Sequence, residues 1–365
     1  MLNLTLRTVW RKGWEMMPAP VHPLRIRMAS AARAVMGIPM PRGGAPNDQS
    51  VYRRWIARND TLTDHDRAAI RAHIARLRTR PVFSVVMPVH NTVREHLEAA
   101  IASVRAQLYP HWELCIADDA STAPHVSAVL TEAAAADPRI RFVTRDTNGH
   151  ISAATNSALA LARGDYVALM DHDDILSEHA LYEVAAESAK HPAAAVLYSD
   201  EDKIDANGER WGPYFKPDFD PDLLLGRNLV SHLGVYRRDL LERLGGLREG
   251  FEGSQDHDLA LRATAACGPA RVRHIPAVLY HWRQTGEARS FSESAPQRCS
   301  TATRRAVADA LAAQGVTASL DWAPLVPQHL RVVWPLPQPA PLVSVIVPTR
   351  DRASLLAACA DGVLN

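Results

Sequence analysis

Short apolar runs alternate with helical segments between residues 83 and 170, and this alternation restricts the fold more than any other feature. The apolar runs have strand length and end at Pro88, Asp118, Val143 and Met170, while the segments between them have the apolar spacing of helices. Strands and helices that alternate at this spacing form a parallel sheet covered by helices on both faces. The sequence therefore predicts an α/β fold with a mostly parallel central sheet.

Carboxylates follow two of the predicted strands. Asp118 and Asp119 end one apolar run, and Asp171, Asp173 and Asp174 directly follow another. Ligands of open α/β sheets bind at the carboxyl ends of the strands, so we expect these side chains to share a site. Because Mg²⁺ and Mn²⁺ prefer oxygen ligands and often share them with substrate phosphates, the second cluster predicts metal or nucleotide binding. An acidic turn that caps the next helix is the alternative.

Several other polar residues allow two interpretations. One of Asp118 and Asp119 could cap the following helix while the other contacts a base or ribose. Asp256 stands at the start of a predicted helix, where it could act as a cap or as a catalytic base. His281 could be a buried core histidine or a ligand. Residues 200–209 lack the ligand spacing of an EF-hand, so we expect a solvated acidic loop there.

The chain divides into five segments. Residues 1–50 form a basic leader with interleaved tryptophans; they could contact the inner face of a cytoplasmic membrane, or form a poorly ordered leader. Residues 51–81 predict a helical extension, residues 82–333 the main domain, and residues 334–341 a Pro-rich linker. Residues 342–365 repeat the opening pattern of the main domain, since PLVSVIVP matches PVFSVVMP. We expect this last segment to be the truncated start of a second domain of the same kind.

Composition argues against several classes of protein. The formal net charge of +1 over 365 residues gives no general argument for nucleic-acid binding. The 4 cysteines are widely spaced and form no CxxC pair, so neither a zinc site nor a disulfide framework is indicated. No apolar run approaches the roughly 18 residues of a membrane span, and the N-terminus lacks the apolar core of a signal peptide. We expect a cytoplasmic protein.

These motifs, in this order, resemble those of family-2 glycosyltransferases with the GT-A fold, and bacterial polysaccharide and O-antigen sugar transferases match best. The resemblance covers residues 82–290 and rests on SVVMPVHNT, CIADDAST, NGHISAATNSALALARGDYVALMDHDD, YSDED, GSQDHDLALR and YHWR. No GxGxxG follows the first strand, which argues against an NAD-binding Rossmann domain. The resemblance implies a GT-A nucleotide-diphospho-sugar transferase fold, here with a helical extension at its N-terminus.

The resemblance also implies residue roles. Asp256 would be the general base, although Gln255 stands where the family has a glutamate. Asp171 and Asp173 would form the DxD pair, and His281 would complete a metal site for Mg or Mn. The residues expected to bind the nucleotide-sugar are Pro88, Val89, His90, Asn91, Asp118, Asp119, Asn148, Gly149, Asn156, Asp171, His172 and Arg283.

The activity implied is inverting transfer of a hexosyl or deoxyhexosyl group from a nucleotide-diphospho-sugar. The acceptor would be a saccharide or a lipid-linked saccharide in cell-surface polysaccharide synthesis, and residues 200–209 would lie near it. A non-catalytic nucleotide-sugar-binding module is one alternative, but it would need no base such as Asp256. A haloacid-dehalogenase phosphatase is another, but its DxD opens the domain and is followed by Thr or Val, whereas Ile175 follows here.

Overall fold

The computed structural model describes residues 49–284 and 296–364, so nearly all of the basic leader, and the membrane contact expected of it, lie outside the described residues. The strands are β1 (Phe83–Val89), β2 (Trp112–Asp118), β3 (Ile140–Thr144), β4 (Tyr166–Leu169), β5 (Ile175–Leu176), β6 (Val196–Ile204), β7 (Arg210–Tyr214), β8 (Gly234–Arg237), β9 (Val272–Arg283), β10 (Ser319–Ala323) and β11 (Val326–Val333). The helices are α1 (Gln49–Asn59), α2 (Asp64–Arg76), α3 (Arg94–Arg105), α4 (Pro124–Ala136), α5 (His150–Leu159), α6 (Ala180–Lys190), α7 (Pro221–Gly226), α8 (Arg238–Leu244), α9 (Gln255–Cys267), α10 (Pro296–Ala313) and α11 (Ala353–Leu364).

Nine strands form the central sheet, in the order β3-β2-β1-β4-β8-β6-β9-β5, with β7 paired to β6. The predicted strands and helices between residues 83 and 170 are confirmed, and β1 to β4 are parallel. Beyond β4 the sheet is mixed, because β8 runs antiparallel to both β4 and β6, while β6 and β9 are parallel. The parallel half carries Asp118 at its carboxyl edge, and the mixed half carries the later motifs.

The central strand β1 is buried along its whole length. Val85 and Met87 join the core on one face of the sheet, and Val86 joins the core on the other face. A strand with helices on both faces has no polar side, which is why its sequence is a continuous apolar run. Each fully buried valine or methionine side chain stabilises the fold by about 1.5–3 kcal/mol. This two-sided core holds the carboxyl ends of β1, β2 and β4 in fixed positions.

The helical extension docks against the mixed half of the sheet. Its helix α2 begins with a capping box, in which the Thr63 side chain and the Asp66 side chain each accept a backbone N–H of the other residue. On α1, the Tyr52 hydroxyl donates a hydrogen bond of 2.6 Å to Asp202 on β6. Arg210 on β7 pairs with Asp202 at 2.6 Å and with Asp60, which follows α1, at 2.5 Å. The extension is therefore joined to the sheet by a buried charged network.

The residues after β11 do not pack on the domain. All described residues from 334 to 364 are exposed, including Leu342 (97%) and Ile346 (90%). The expected helix is present as α11, but no strand forms over the apolar run 342–347. A β-strand needs a neighbour to satisfy its backbone hydrogen bonds, and the sheet of the main domain offers none at this place. The linker and the repeat stay predictions as domain assignments.

We predict that Glu183→Gln makes the protein more stable at alkaline pH. Glu183 on α6 is 5% exposed, and burial raises its pKa to about 7 from 4.5. The folded state therefore holds this proton more tightly than the unfolded state does, so wild-type stability falls as pH rises from 4.5 through 7. The stability gain of the variant should grow by about 3 kcal/mol across that window, measured by urea unfolding. A difference that does not change with pH would contradict the prediction.

Candidate active site

We name residues 170–174, between β4 and β5, the carboxylate loop. Asp174 determines its shape. Asp174 is fully buried, accepts a hydrogen bond of 2.5 Å from the Tyr280 hydroxyl, and accepts another of 2.7 Å from the Arg283 backbone N–H. The Asp171 backbone N–H donates to the same Tyr280 oxygen at 3.1 Å. Burial, with the charges of Asp173 and Asp171, raises the pKa of Asp174 well above its ordinary value. Both oxygens of Asp174 therefore have partners inside the protein, whereas Asp171 and Asp173 are partly exposed.

An imidazole that the sequence analysis missed lies next to this loop. The His232 Nε2 atom is 4.0 Å from the Asp171 carboxylate, and its ring stacks on Tyr280 with centroids 4.5 Å apart. One potential ligand atom from each of Asp171, Asp174 and His232 lies within 4.8 Å of the others. His232 belongs to an irregular segment between α7 and β8, so no strand or helix pattern marked it. The cluster combines oxygen and nitrogen donors that suit a divalent cation.

The structure does not bring His281 into this cluster. Its Nδ1 atom is 2.5 Å from Asp202 and its Nε2 atom is 2.9 Å from the Ser177 hydroxyl. Both ring nitrogens therefore have partners in the buried network that anchors the extension. Burial opposes ionisation of Asp202, but hydrogen bonds and charges from His281 and Arg210 lower its pKa overall. The interpretation of His281 as a buried core histidine fits, and its expected role as a metal ligand does not.

The expected solvated loop at residues 200–209 is wrong in its first half. Residues 196–204 form β6, in which Asp200 and Asp202 are buried. Glu201 accepts a hydrogen bond of 2.9 Å from the ammonium group of Lys216, whose side chain is fully buried. Burial lowers the pKa of Lys216, and the Glu201 carboxylate opposes that shift. Backbone pairing of β6 with three neighbouring strands explains why so acidic a sequence lies in the interior.

Lys216 and Glu201 together fix the segment that carries His232. The Lys216 Nζ atom donates to the carbonyl oxygens of Val230 and His232 at 2.9 and 2.6 Å. The His232 backbone N–H donates to the Glu201 carboxylate at 3.1 Å. A buried ion pair is stable only when its other hydrogen-bonding groups also have partners. Here those partners are backbone groups of Val230 and His232. We name residues 227–233 the clamp loop, since this ion pair holds it in place.

The clamp loop also positions Asp256. Asn228 donates from its amide nitrogen to the Asp256 carboxylate at 2.7 Å, while its amide oxygen accepts from the Ser231 backbone N–H at 3.0 Å. Ser254 stands at the N-cap position of α9, so Asp256 is not the helix cap. Its second carboxylate oxygen has no hydrogen bond within the described part of the chain. Asp256 thus presents a carboxylate held by one neutral donor.

Asp256 and the carboxylate loop both lie against the clamp loop. The Asp171 side chain is 36% exposed, but its partial burial raises the pKa of its carboxyl group. The His232 imidazole opposes this shift, and the negative charges of Asp173 and Asp256 add to it. The clamp loop therefore links the two expected features, because its Asn228 contacts Asp256 and its His232 lies 4.0 Å from Asp171. The roles of Asp256, Asp171 and Asp173 stay predictions.

The carboxyl ends of β1 and β2 form a second group of polar residues. Asp118 and Asp119 are 3% and 2% exposed, and Asp118 accepts a hydrogen bond of 3.0 Å from the Ser121 backbone N–H. The Asn91 side-chain oxygen accepts from the backbone N–H groups of Thr122 and Ala123 at 2.8 and 2.9 Å. Ala123 is the N-cap residue of α4 and no side chain caps this helix, so the interpretation of either aspartate as a cap is wrong. The cross-linked loops form a rigid rim beside the carboxylate loop.

Asp119 is committed to the start of α5. It pairs with Arg145 at 2.8 Å and accepts from the Gly149 backbone N–H at 2.9 Å. A Cβ atom at Gly149 would lie 2.5 Å from the Arg145 guanidinium and 2.9 Å from the Ala153 Cβ atom, so a larger residue here would have to displace the arginine that pairs with Asp119. The Asn148 amide lies 3.2 Å from the His90 ring, and the same ring nitrogen is 2.9 Å from the Asp119 carbonyl oxygen. The loops after β1, β2 and β3 therefore meet at one edge.

The remaining expected site residues divide into three groups. Asn156 is not part of the cleft, because its amide donates to the Leu247 carbonyl at 2.8 Å and accepts from the Leu247 N–H at 2.9 Å. Arg283 belongs to the carboxylate loop, since its Nε atom donates to the Asp173 carbonyl oxygen at 2.7 Å. Pro88 and Val89 lie at the carboxyl end of β1, and His172 lies in the carboxylate loop between Asp171 and Asp173.

Comparison with known proteins identifies the family to which part of the chain belongs. Residues 84–245 match the model of glycosyl transferase family 2, and this part of the chain belongs to that family. The crystal structure of S. aureus TarS 1-349 in complex with UDP-GlcNAc is similar over 63% of this chain and 66% of that one, with 21% identity and a TM-score of 0.50. That likeness shows the shared GT-A fold.

Two longer bacterial proteins are similar in sequence. The uncharacterized protein y4gI of Sinorhizobium fredii is 43% identical over 318 residues, which is 87% of this chain and 34% of that protein. The O-antigen biosynthesis protein RfbC of Myxococcus xanthus is 44% identical over 322 residues, which is 87% of this chain and 24% of that protein. The chain thus spans about a third and about a quarter of these relatives. Among the helices that the structure describes, none is long and apolar enough to cross a membrane.

We predict that Lys216→Met destabilises the protein by about 3–5 kcal/mol in urea unfolding, because it leaves the Glu201 carboxylate buried without its partner. Amide hydrogen exchange of residues 230–233 should accelerate as well, since two of their carbonyl oxygens lose the ammonium donor. The double variant Lys216→Met, Glu201→Gln should recover part of the loss.

The matched control is Lys190→Met, because Lys190 is a lysine with a 55% exposed side chain and only a distant pair with Glu187 at 3.8 Å. It should change stability by no more than about 0.5 kcal/mol. If Lys216→Met were as mild as this control, the ion pair would not be what holds the clamp loop.

Proposed function

We propose that this chain is an inverting glycosyltransferase. It moves a sugar from a nucleotide-diphospho-sugar to a hydroxyl group of a saccharide or lipid-linked saccharide in cell-surface polysaccharide synthesis. The observation that carries this proposal is the clamp loop, which holds Asp256 through Asn228 and places the His232 imidazole 4.0 Å from Asp171 in the carboxylate loop at the end of β4. Membership of residues 84–245 in family 2 supports the reaction class, and the name of the relative RfbC supports the setting.

Asp256 is the general base of the proposed reaction. Its carboxylate takes the proton from the acceptor hydroxyl as that oxygen attacks the anomeric carbon from the face opposite the leaving diphosphate. The Asn228 amide orients the carboxylate through one of its oxygens and leaves the other for the acceptor. One base suffices for such a displacement. A non-catalytic binding module would not need this oriented carboxylate, and a phosphatase would not need it opposite the Asp171 cluster.

We infer that Asp171 and Asp173 hold a divalent cation, Mg or Mn, with His232 in the place expected for His281. The donor set fits, because the two carboxylates are partly exposed and the His232 nitrogen lies beside Asp171. When bound, such a cation offsets the charge that develops on the diphosphate. Arg283, fixed against the Asp173 carbonyl, adds a permanent positive charge on the same side.

The donor nucleoside is proposed to bind at the loops after β1, β2 and β3. Asp118 and Asp119 are rigidly placed there, and the Gly149 backbone N–H at the start of α5 donates to Asp119. The apolar segment 342–365 is proposed as the opening of a second, similar domain, because its sequence repeats that of β1 and α3. The basic leader is proposed to give peripheral membrane contact.

The test is release of nucleoside diphosphate from a panel of nucleotide-diphospho-sugars, with Mg²⁺ or Mn²⁺, and donor binding by calorimetry. Asp173→Ala should abolish metal-dependent donor binding. Asp256→Asn should keep donor binding but lose transfer by about 10²–10⁴-fold, because the amide accepts no proton. Asp321→Asn changes an exposed aspartate on β10 and serves as the control. Transfer by Asp256→Asn at the wild-type rate would exclude Asp256 as the base.

We predict that Asn228→Ala lowers the rate of transfer about tenfold or more while donor affinity stays within twofold. The variant removes a hydrogen bond to a charged group, which is worth about 1.5–3 kcal/mol, from a residue that does not face the nucleotide. Asn207→Ala, in the exposed β6–β7 turn, is the matched control. Equal rates for Asn228→Ala and wild type would show that Asp256 needs no positioning partner.

A further inference from the structure

Three side chains form a row across the mixed half of the sheet. Lys203 on β6 stands in register with Trp211 on β7 and with Trp282 on β9. Its ammonium nitrogen lies 4.9 Å from the Trp211 ring centroid and 5.1 Å from the Trp282 ring centroid. Both indoles are partly exposed. Cation–π attraction of this kind fixes the two rings on either side of one lysine.

The row lies on the same face of the sheet as the proposed catalytic cleft. Side chains alternate between faces along a strand, so Trp282 shares its face with Tyr280, and Lys203 shares its face with Glu201. Tyr280 stacks on His232, and the His232 and Trp282 ring centroids are 6.5 Å apart. His232 is in turn 4.0 Å from Asp171. The row therefore continues the wall of the cleft without a gap.

The strand order places this row on the side of the cleft away from the nucleoside loops. Those loops follow β1, β2 and β3 at one end of the sheet, and the carboxylate loop follows β4. The row spans β7, β6 and β9, which lie beyond β8. In an inverting displacement the acceptor approaches from the side opposite the leaving nucleotide. Under the proposed function, the row of indoles therefore lies on the acceptor's side of the carboxylate loop.

We propose that Trp211 and Trp282 form the acceptor subsite, in which a pyranose ring of the acceptor saccharide stacks on an indole. This inference rests on the proposed function and deepens it. The C–H face of a pyranose is apolar, and the electron-rich face of an indole attracts its polarised hydrogens while the sugar hydroxyls stay in water. Two indoles held apart by Lys203 present flat surfaces for successive sugars rather than a closed apolar pocket. The occupant is thus a saccharide chain.

The test compares Trp282→Ala, Trp282→Phe and Trp211→Ala with the control Trp322→Ala, all in the full chain. Trp322 is a tryptophan on β10, outside the central sheet, with 37% of its surface exposed. Binding of each protein to one fixed array of bacterial oligosaccharide fragments is measured, together with donor binding by calorimetry. Both alanine variants should lose saccharide affinity at least tenfold, Trp282→Phe should keep most of it, and donor affinity should stay within twofold.

The array separates failure of this inference from failure of the proposed function, because saccharide binding does not require turnover. The wild type could bind saccharides but neither bind nor release nucleoside diphosphate, while Trp282→Ala loses the saccharide binding. The subsite then stands and the proposed reaction falls. If Trp282→Ala and Trp211→Ala bind the array as well as wild type does, the subsite is wrong. Binding of the wild type to phosphatidylglycerol vesicles through these indoles, without saccharide binding, would also overturn it.

Discussion

The carboxyl group of Asp174 joins the two halves of this molecule. It belongs to the loop after β4, in the parallel half, yet both of its hydrogen-bond donors belong to β9, in the mixed half. Burial without these donors would be very costly for a carboxyl group, so the loop and β9 can only occupy this one arrangement. The exposure of Asp171 and Asp173, the stacking of His232 and the placement of Arg283 all follow from that joint.

Two of the charged networks in the interior lie on opposite faces of β6. On the cleft side, Lys216 and Glu201 immobilise the clamp loop and thereby His232 and Asn228. On the opposite face of the same strands, the Asp202 carboxylate is hydrogen-bonded to His281, Arg210 and Tyr52. The match to family 2 ends at residue 245, so Asp256 and β9 lie beyond it. Contacts place these later residues beside the earlier ones, since Asn228 of the clamp loop holds Asp256 and β9 supplies two hydrogen-bond donors to Asp174.

The sequence predicted the features that depend on local patterns. The continuous apolar runs of β1, β2 and β4 identified a sheet buried on both faces, and strand ends identified Asp118 and Asp171 as neighbours of a shared edge. Residues whose role depends on distant partners were not predictable in this way. Nothing in YHWR distinguishes His281, which faces Asp202, from a metal ligand. His232, Asn228 and Lys216 lie in irregular segments, where no periodicity reports which direction a side chain faces.

Successive residues of β6 contact different parts of the protein. Asp202 accepts a hydrogen bond from Tyr52 of the helical extension on one face of the sheet, while Lys203 lies between the Trp211 and Trp282 rings on the other face. A fragment that began at residue 82 would strip the hydroxyl and the Asp60 carboxylate from a buried cluster of ions and leave Arg210 and Asp202 to water. Removal of α1 would therefore destabilise the sheet at this buried cluster. Excision experiments and domain grafts should treat the extension and the sheet as one indivisible body.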